Sequence, residues 1–326
     1  MKQLQVFSFT CLIFISSLSA TSFKKYSGEF LSLGAGSRAM GMAGAFVSVA
    51  NDVSAGYWNP AGLTETDSLE ILFMHTKQFI SSVQHNFMAA SMRLNAQSTL
   101  AVSFMYLTVN GIKDTRDAYN FAEGKIDHSR IQTFNTGDYA FYISYARMTN
   151  QQFSYGFNIK LLERDYKIES AIGIGFDAGL KYRFTDKLVV GAMFRDITTS
   201  LMTWSTGERE LISPSLRTGA SYLVNISPLN LTLLPSLDLN WNFEGRQYAS
   251  QFQLGALSLD ALAGLEVVYH DLLAVRLGLD DLQRFNTGIG LRIPRISFDY
   301  SFTAYQSELD DIHRISFHLN FDRTLF

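Results

Sequence analysis

The sequence predicts an all-β protein, an antiparallel transmembrane β-barrel of about fourteen strands. Three observations carry that expectation. Apolar and polar residues alternate with period two over most of the chain, the connections between alternating runs are by turns long and short, and the N-terminus reads as an export signal. Composition points the same way: charged residues are 17%, hydrophobic residues 47% and aromatics 13% of the 326 residues, against roughly 25% charge in ordinary soluble domains. So apolar a chain can offset its ordering entropy, which excludes intrinsic disorder. The balance of 27 Lys and Arg against 30 Asp and Glu, net -3, excludes nucleic acid as a partner on charge grounds.

Lys2 precedes the apolar run Val6 to Ile15 and the small-residue stretch Ser16 to Ala20. Residues 1–20 therefore read as a secretory signal peptide, cleaved after Ser19, Ala20 or Ser22. The run is too short for a spanning helix of about 20 residues. The only cysteine, Cys11, lies inside it and lacks the small-residue box that precedes a lipidated cysteine. The mature chain then has no disulfide, so an exported protein of this size needs a large core or a closed barrel for stability.

Alternation runs from residue 69 to 321. Ile172, Ile174, Phe176, Ala178, Leu180 and Tyr182 share one face, and Gly173, Gly175, Asp177, Gly179, Lys181 and Arg183 share the other. The same pattern sets Phe153, Tyr155, Phe157, Ile159 and Leu161 against Ser154, Gly156, Asn158 and Lys160, and Leu273, Val275, Leu277 and Leu279 against Ala274, Arg276 and Gly278. Fourteen strands are expected, over 69–75, 83–93, 98–109, 138–148, 153–163, 172–184, 187–197, 214–224, 231–241, 262–270, 272–279, 285–293, 296–303 and 313–321. Connections after odd strands are long, as over 110–137 and 198–213. Those after even strands are short, as over 185–186 and 294–295. Long loops at one end and tight turns at the other are the habit of outer-membrane barrels, and the strand lengths suit a tilted bilayer crossing. A soluble β-sandwich or propeller with one solvated face is the competing architecture. Trp241, Tyr139 and Phe285 fall at one set of strand ends and Phe153, Tyr182, Tyr269 and Phe321 at the other, as aromatic girdles would, although aromatics favour strands in any case.

Residues 28–63 do not alternate and are dominated by small side chains, so their backbone can pack closely against something. Gly34, Gly36 and Ala39 with Asp52 mimic a dinucleotide-binding fingerprint, but uninterrupted β alternation follows where a β-α-β unit is required. The stretch from Gly34 through Arg38, Gly41, Gly44 and Asp52, followed by Tyr57-Trp58-Asn59-Pro60-Ala61-Gly62-Leu63, resembles the N-terminal signature of the PorV/PorQ family of outer-membrane proteins. Leu188-Val-Val-Gly-Ala-Met-Phe-Arg-Asp-Ile and His313-Arg-Ile-Ser-Phe look similar too, so the resemblance covers essentially the mature chain. It implies kinship with FadL-type transporters of hydrophobic compounds, in which such a segment forms a plug inside a fourteen-stranded barrel. The expected organisation is a signal peptide over 1–20, a plug over 21–66 with Gly34, Gly36, Arg38, Gly41, Gly44, Asp52, Asn59 and Pro60 as its motif, and a barrel over 67–326.

No Walker loop, His-Glu-x-x-His motif or paired cysteines occur, and the six histidines show no metal-ligand spacing. No enzyme activity and no cofactor are expected. The inward faces should carry Lys160, Lys181, Arg183, Arg276, Arg292 and Arg314 together with Asp177, Asp238, Glu266 and Asp299. Such mixed signs suit a plugged lumen in which charges are paired, because unpaired buried charge is costly. Pro235 lies within the expected strand 231–241 without an N–H for the ladder, so pairing should break or bulge there. In FadL-like relatives a strand kink opens a lateral path, which makes Pro235 a candidate lateral opening. The resemblance implies passage or capture of hydrophobic compounds across the outer membrane or, alternatively, an accessory role in type IX secretion. Partners would be outer-membrane lipid, hydrophobic small molecules or secreted proteins, and the barrel-assembly machinery during biogenesis.

Overall fold

The computed structural model describes residues 28–78, 82–120, 124–243, 250–304 and 311–321. The expected signal peptide, its cleavage site and Cys11 lie outside them. Fourteen antiparallel strands close into one ring. They are β1 (Leu69–Gln78), β2 (Val83–Asn95), β3 (Ser98–Asp114), β4 (Gln132–Met148), β5 (Phe153–Asp165) and β6 (Ser170–Arg183). Two interrupted strands follow, β7 (Leu188–Arg195, then Ser200–Trp204) and β8 (Arg209–Ile212, Ser215–Tyr222 and Val224–Ile226). The ring continues through β9 (Leu231–Asn242), β10 (Leu257–Tyr269), β11 (Leu273–Leu279), β12 (Phe285–Ile293), β13 (Ile296–Thr303) and β14 (Ile312–Phe321). Each strand pairs with its neighbours in sequence, and β1 closes the ring on β14, with Leu69 opposite both Met92 and Phe321. Closure pairs each of the fourteen ring strands on both sides, which is how such a ring avoids edge-to-edge association.

The two faces are those the alternation implies. Phe157 (53% exposed), Ile172 (69%), Val275 (52%) and Ile289 (60%) point outward, while Asn158, Asp177, Arg276 and Asn286 are buried inside. An apolar outer face on a closed ring leaves no room for the sandwich alternative. Arginine in place of Phe176, which stands outward beside inward Asp177, should cost about 2 to 4 kcal/mol if the outer face meets the bilayer midplane. Reduced assembly of Phe176→Arg, read as loss of the heat-modifiable band on a gel, is the expected result. Normal assembly would mean that the face is not lipid-exposed.

Sequence reading cut several strands short: β1 continues past 75 to Gln78, β10 begins at Leu257 where 262 was expected, and further differences lie in β3, β4 and the segment after β7. β3 and β4 run on as a long ladder to Asp114↔Gln132, past a register shift between Val109 and Ile112. The segment 198–213, read as a loop, is instead largely a hairpin with Ser200↔Ile212 and Thr203↔Arg209. The expected strand 187–197 ends at Arg195, and after Asp196 to Thr199, where Asp196 and Thr199 have positive φ, the chain rejoins the sheet at Ser200–Trp204. The β3–β4 extension pairs Ile112↔Phe134, Lys113↔Thr133 and Asp114↔Gln132, polar on both faces, so period-two alternation does not reveal it. Pro235 behaves differently on its two sides: its ladder to β10 is continuous, with Pro235↔Leu265. Pairing to β8 lapses between Ser221↔Ser236 and Val224↔Leu233 without any change of register, so there is a gap and no bulge.

Candidate functional site: the lumen and the segment inside it

Residues 28–66 thread the ring as a 3-10 turn (Glu29–Ser32), α1 (Ser37–Gly41), α2 (Ala55–Trp58) and a second 3-10 turn (Pro60–Glu65). Their backbone bonds to inward side chains from around the circumference. Ser37 N donates to Ser316 on β14 (2.8 Å), Phe46 and Val47 N donate to Asp238 on β9 (2.9 and 3.0 Å), and Val53 N donates to Glu70 on β1 (2.9 Å). Carbonyls are met in the same way: Ala45 O accepts from Ser236, Ala50 O from Lys181 and Gly56 O from Asn158. Short helical turns leave many backbone groups unsatisfied, and the wall supplies their partners.

Such close approach needs missing side chains on the wall. A Cβ on Gly156 would lie 2.5 Å from the Pro60 carbonyl carbon, one on Gly191 2.5 Å from the Val47 oxygen, and one on Gly278 2.5 Å from the Met42 carbonyl carbon. Gly264 meets Met42 in the same way, and Gly41 of α1 sits against Gly288 of β12. A belt of wall glycines thus matches the small residues of the segment.

The other motif residues fix its shape. Gly36 precedes α1 at φ 79°, and Gly44 turns the chain at φ 73° against Trp58. Gly34 N donates to the Tyr57 hydroxyl (3.2 Å), which itself donates to Leu31 O (2.6 Å). Asn59 is fully buried; its amide donates to Val47 O (2.8 Å) and Leu180 O (3.0 Å), and its side-chain oxygen accepts from Ala61 N, starting the turn that begins at Pro60. Pro60 packs on Gly156 and Gly179.

The lumen charges gather into paired groups. Glu266 accepts a two-pronged bond from Arg38 (3.0 and 3.0 Å), with Arg276 at 2.7 Å and Arg292 at 3.0 Å; Arg276 also reaches Asp299 at 2.6 Å. Arg38 bonds Asp52 (3.1 Å) as well. Burial pushes the Asp52 carboxyl up, but Arg38, His318 and the Ser54 hydrogen bonds outweigh it and hold it below the usual carboxylate range. Lys160 bridges Asp177 (2.8 Å) and Asp196 (2.7 Å) beside the interruption in β7. Lys181 and Arg183 share Glu65, and Arg314 donates to Thr303. Sequence reading missed Arg195 and Arg217, although inward alternation points to both. Their guanidiniums stack on Tyr57 (4.8 Å) and Trp58 (5.6 Å) and donate to Tyr57 O and Gly44 O.

The inner segment also packs on apolar wall residues. Met74, Phe87, Met105, Leu162 and Met202 form one buried cluster with Phe30 and Leu31 of the inner segment, and Leu107, Trp204 and Ile212 pack on it. Among the described residues no group of His, Cys, Asp and Glu has a metal-binding arrangement.

Fold and lumen together define a closed fourteen-stranded barrel with an apolar exterior and an occupied interior. Among solved structures the chain is similar to the Ralstonia pickettii toluene transporter TbuX, with a TM-score of 0.56 and 11% identity over 88% of this chain and 98% of that one. It is likewise similar to the Pseudomonas putida toluene transporter TodX (0.56, 12%, 87% and 96%) and to the CymD monoaromatic hydrocarbon channel (0.57, 12%, 89% and 98%). At such identities the likeness is one of fold. No family model matches the sequence, and no curated protein matches it.

Proposed function

We propose that the protein is an outer-membrane barrel that passes or captures small hydrophobic compounds, without enzymatic activity, and that residues 28–66 serve as its plug. The observation that carries this reading is the apolar cluster inside the lumen, from Met74 and Phe87 to Leu162 and Met202. A water-filled porin keeps a polar interior. Likeness of fold to TbuX, TodX and CymD supports the same class of solute, and the N-terminal motif's similarity to PorV/PorQ and FadL-type sequences supports the plug.

A lateral exit to the bilayer has two candidate positions. One is the lapse of pairing at Pro235, and the other is the interruption of β7 at Asp196 to Thr199, which faces only Ser213 and Pro214 of β8. Cells producing the barrel should take up labelled toluene faster than cells without it. Pro235→Val, which returns an N–H to the ladder, should raise barrel stability and slow that uptake if the exit lies there. Equal uptake with and without the barrel, at verified surface abundance, would end the transport reading. Unchanged uptake by Pro235→Val alone would move the exit to β7.

A second reading, a protein-binding accessory of type IX secretion, draws on the β3–β4 hairpin. Each of its strands has 17 residues, where a tilted crossing needs about 9 to 11. Its far end carries Asp114, Arg116, Asp127 and Arg130 in local ion pairs, a polar platform suited to a protein partner.

A further inference from the structure

The 7 residues of β11, Leu273–Leu279, are too few for the wall they belong to. At about 3.3 Å per residue and a tilt of about 40°, they rise about 18 Å, whereas the apolar band of a membrane barrel is about 25 Å tall. β11 starts just after the tight turn 270–272, so the shortfall lies at its other end, past Leu279, on the side of the long connections. Another piece of chain stands there. β10 runs on from Leu262 back to Leu257, beyond the last β10–β11 pair, Ala263↔Leu279. This stretch pairs instead with a short strand, Phe252–Leu254, in the ladder Phe252↔Leu259 to Leu254↔Leu257.

The side chains of this addition suit hydrocarbon. Phe252 and Leu254 share the outward face with Leu257 and Leu259, because Ser258 and Asp260 between those two are buried inside. Leu254, at 70%, is the most exposed large apolar side chain among the described residues, and Phe243, Phe252 and Leu282 are each more than half exposed. Apolar patches left open in this way mark a surface that something covers. The backbone is closed as well. Ala261 lies between the end of the short strand's ladder and the start of β11's, and the Gln251 side chain meets both of its backbone groups. Gln251 Oε1 accepts from Ala261 N (3.0 Å), and Nε2 donates to Ala261 O (3.1 Å) and to Asp281 O (3.0 Å) in the β11–β12 turn. Water could satisfy such groups on a surface loop, but in hydrocarbon the protein must satisfy them itself. The patch also continues the outer face without a break, through Trp241↔Leu259 and Phe252↔Leu259. That continuity favours lipid over a separate protein partner as its cover.

We infer that Phe252–Leu254, with Phe243 and Leu282 beside it, completes the lipid-facing wall beyond β11 and is covered by acyl chains of the leaflet on the side of the long connections. A stretch that the sequence presents as a surface loop is in this way part of the membrane-spanning wall, and the missing height is supplied without thinning the bilayer. This rests on reading the protein as an outer-membrane barrel.

The test uses the purified full-length mature barrel folded into phosphatidylcholine vesicles. Cys11 falls in the expected export signal, so one introduced cysteine can carry a fluorophore without competition. Three variants are compared: Leu254→Cys, Ile289→Cys in the middle of the outward face of β12, and Ile126→Cys in the β3–β4 connection. Each replaces a side chain more than half exposed, so folding should be undisturbed. Spin-labelled acyl chains should quench the probe at 254 as strongly as at 289 and several-fold more than at 126, and aqueous iodide should give the reverse order. Quenching at 254 by iodide, as at 126, would overturn the inference, because the strand would then stand in water. Quenching by neither agent would overturn it too, since protein would then cover the patch. The probe at 289 keeps the two inferences apart. Without acyl-chain contact at 289 the outer-membrane reading itself falls, whereas contact at 289 but not at 254 removes the present inference alone.

Discussion

Gly191→Leu should give a barrel that assembles but cannot seat its N-terminal segment. Gly191 faces inward on β7, and even a Cβ there would meet the Val47 oxygen at 2.5 Å, the Val47 carbonyl carbon at 2.9 Å and the Ser48 Cα at 3.0 Å. These are backbone atoms, which cannot swing aside as the end of a side chain can. Overpacking typically costs 1 to 3 kcal/mol, and contact with fixed backbone puts this case at about the upper end. The strand pairs on both sides, Gly219↔Gly191 to β8 and Lys181↔Gly191 to β6, do not involve the missing side chain, so the ring itself should close. Residues 28–66 should then become open to added protease while the heat-modifiable band persists. Ala192→Leu, one residue along on the outward face, serves as the control and should leave the segment protected. Protection of 28–66 in Gly191→Leu equal to that in the parent would show that the glycine belt does not govern docking.

That belt shows where the sequence was legible and where it was not. Period-two alternation revealed the strands and their faces because an outward apolar side chain and an inward polar one are different chemistry, repeated at every second residue. Phe285–Ile293 and Ile296–Thr303 match their expected ranges to the residue. The long connections were harder, since Ser200–Trp204 and Arg209–Ile212 pair in a stretch whose composition resembles a loop. The inner segment announced itself only as small residues without a period. Its path, Ser37 on β14, Phe46 on β9 and Gly56 on β5, is set by contacts between residues over a hundred positions apart. No local pattern encodes such pairings. The wall glycines were visible as members of the polar face, yet nothing in their spacing said that Gly156 would receive Pro60 or Gly278 would receive Met42. Arg195 and Arg217 were lost for a related reason: their partners are aromatic faces of the inner segment, and a search for opposite charges passes over them.

Glu266→Gln should be among the most destabilising single changes in the lumen. One carboxylate, 2% exposed as a residue, receives Arg38 from the inner segment, Arg276 from β11 and Arg292 from β12. Glutamine keeps the volume but removes the charge and turns an N–H pair toward three guanidiniums. Arg38 would retain Asp52 and Arg276 would retain Asp299, whereas Arg292 would lose the carboxylate it bonds. Removing one partner of a buried ion pair typically costs 3 to 5 kcal/mol, because the other charge is left uncompensated. A loss of about that size is expected in urea unfolding of the refolded barrel, together with easier release of residues 28–66, since Arg38 ties them to the wall here. The double change Arg38→Gln with Glu266→Gln should cost less than the sum of the two single changes, because each single variant already breaks the bond they share. Additive losses would mean that Arg38 and Glu266 act independently, and a Glu266→Gln barrel as stable as the parent would show that the three arginines find other partners.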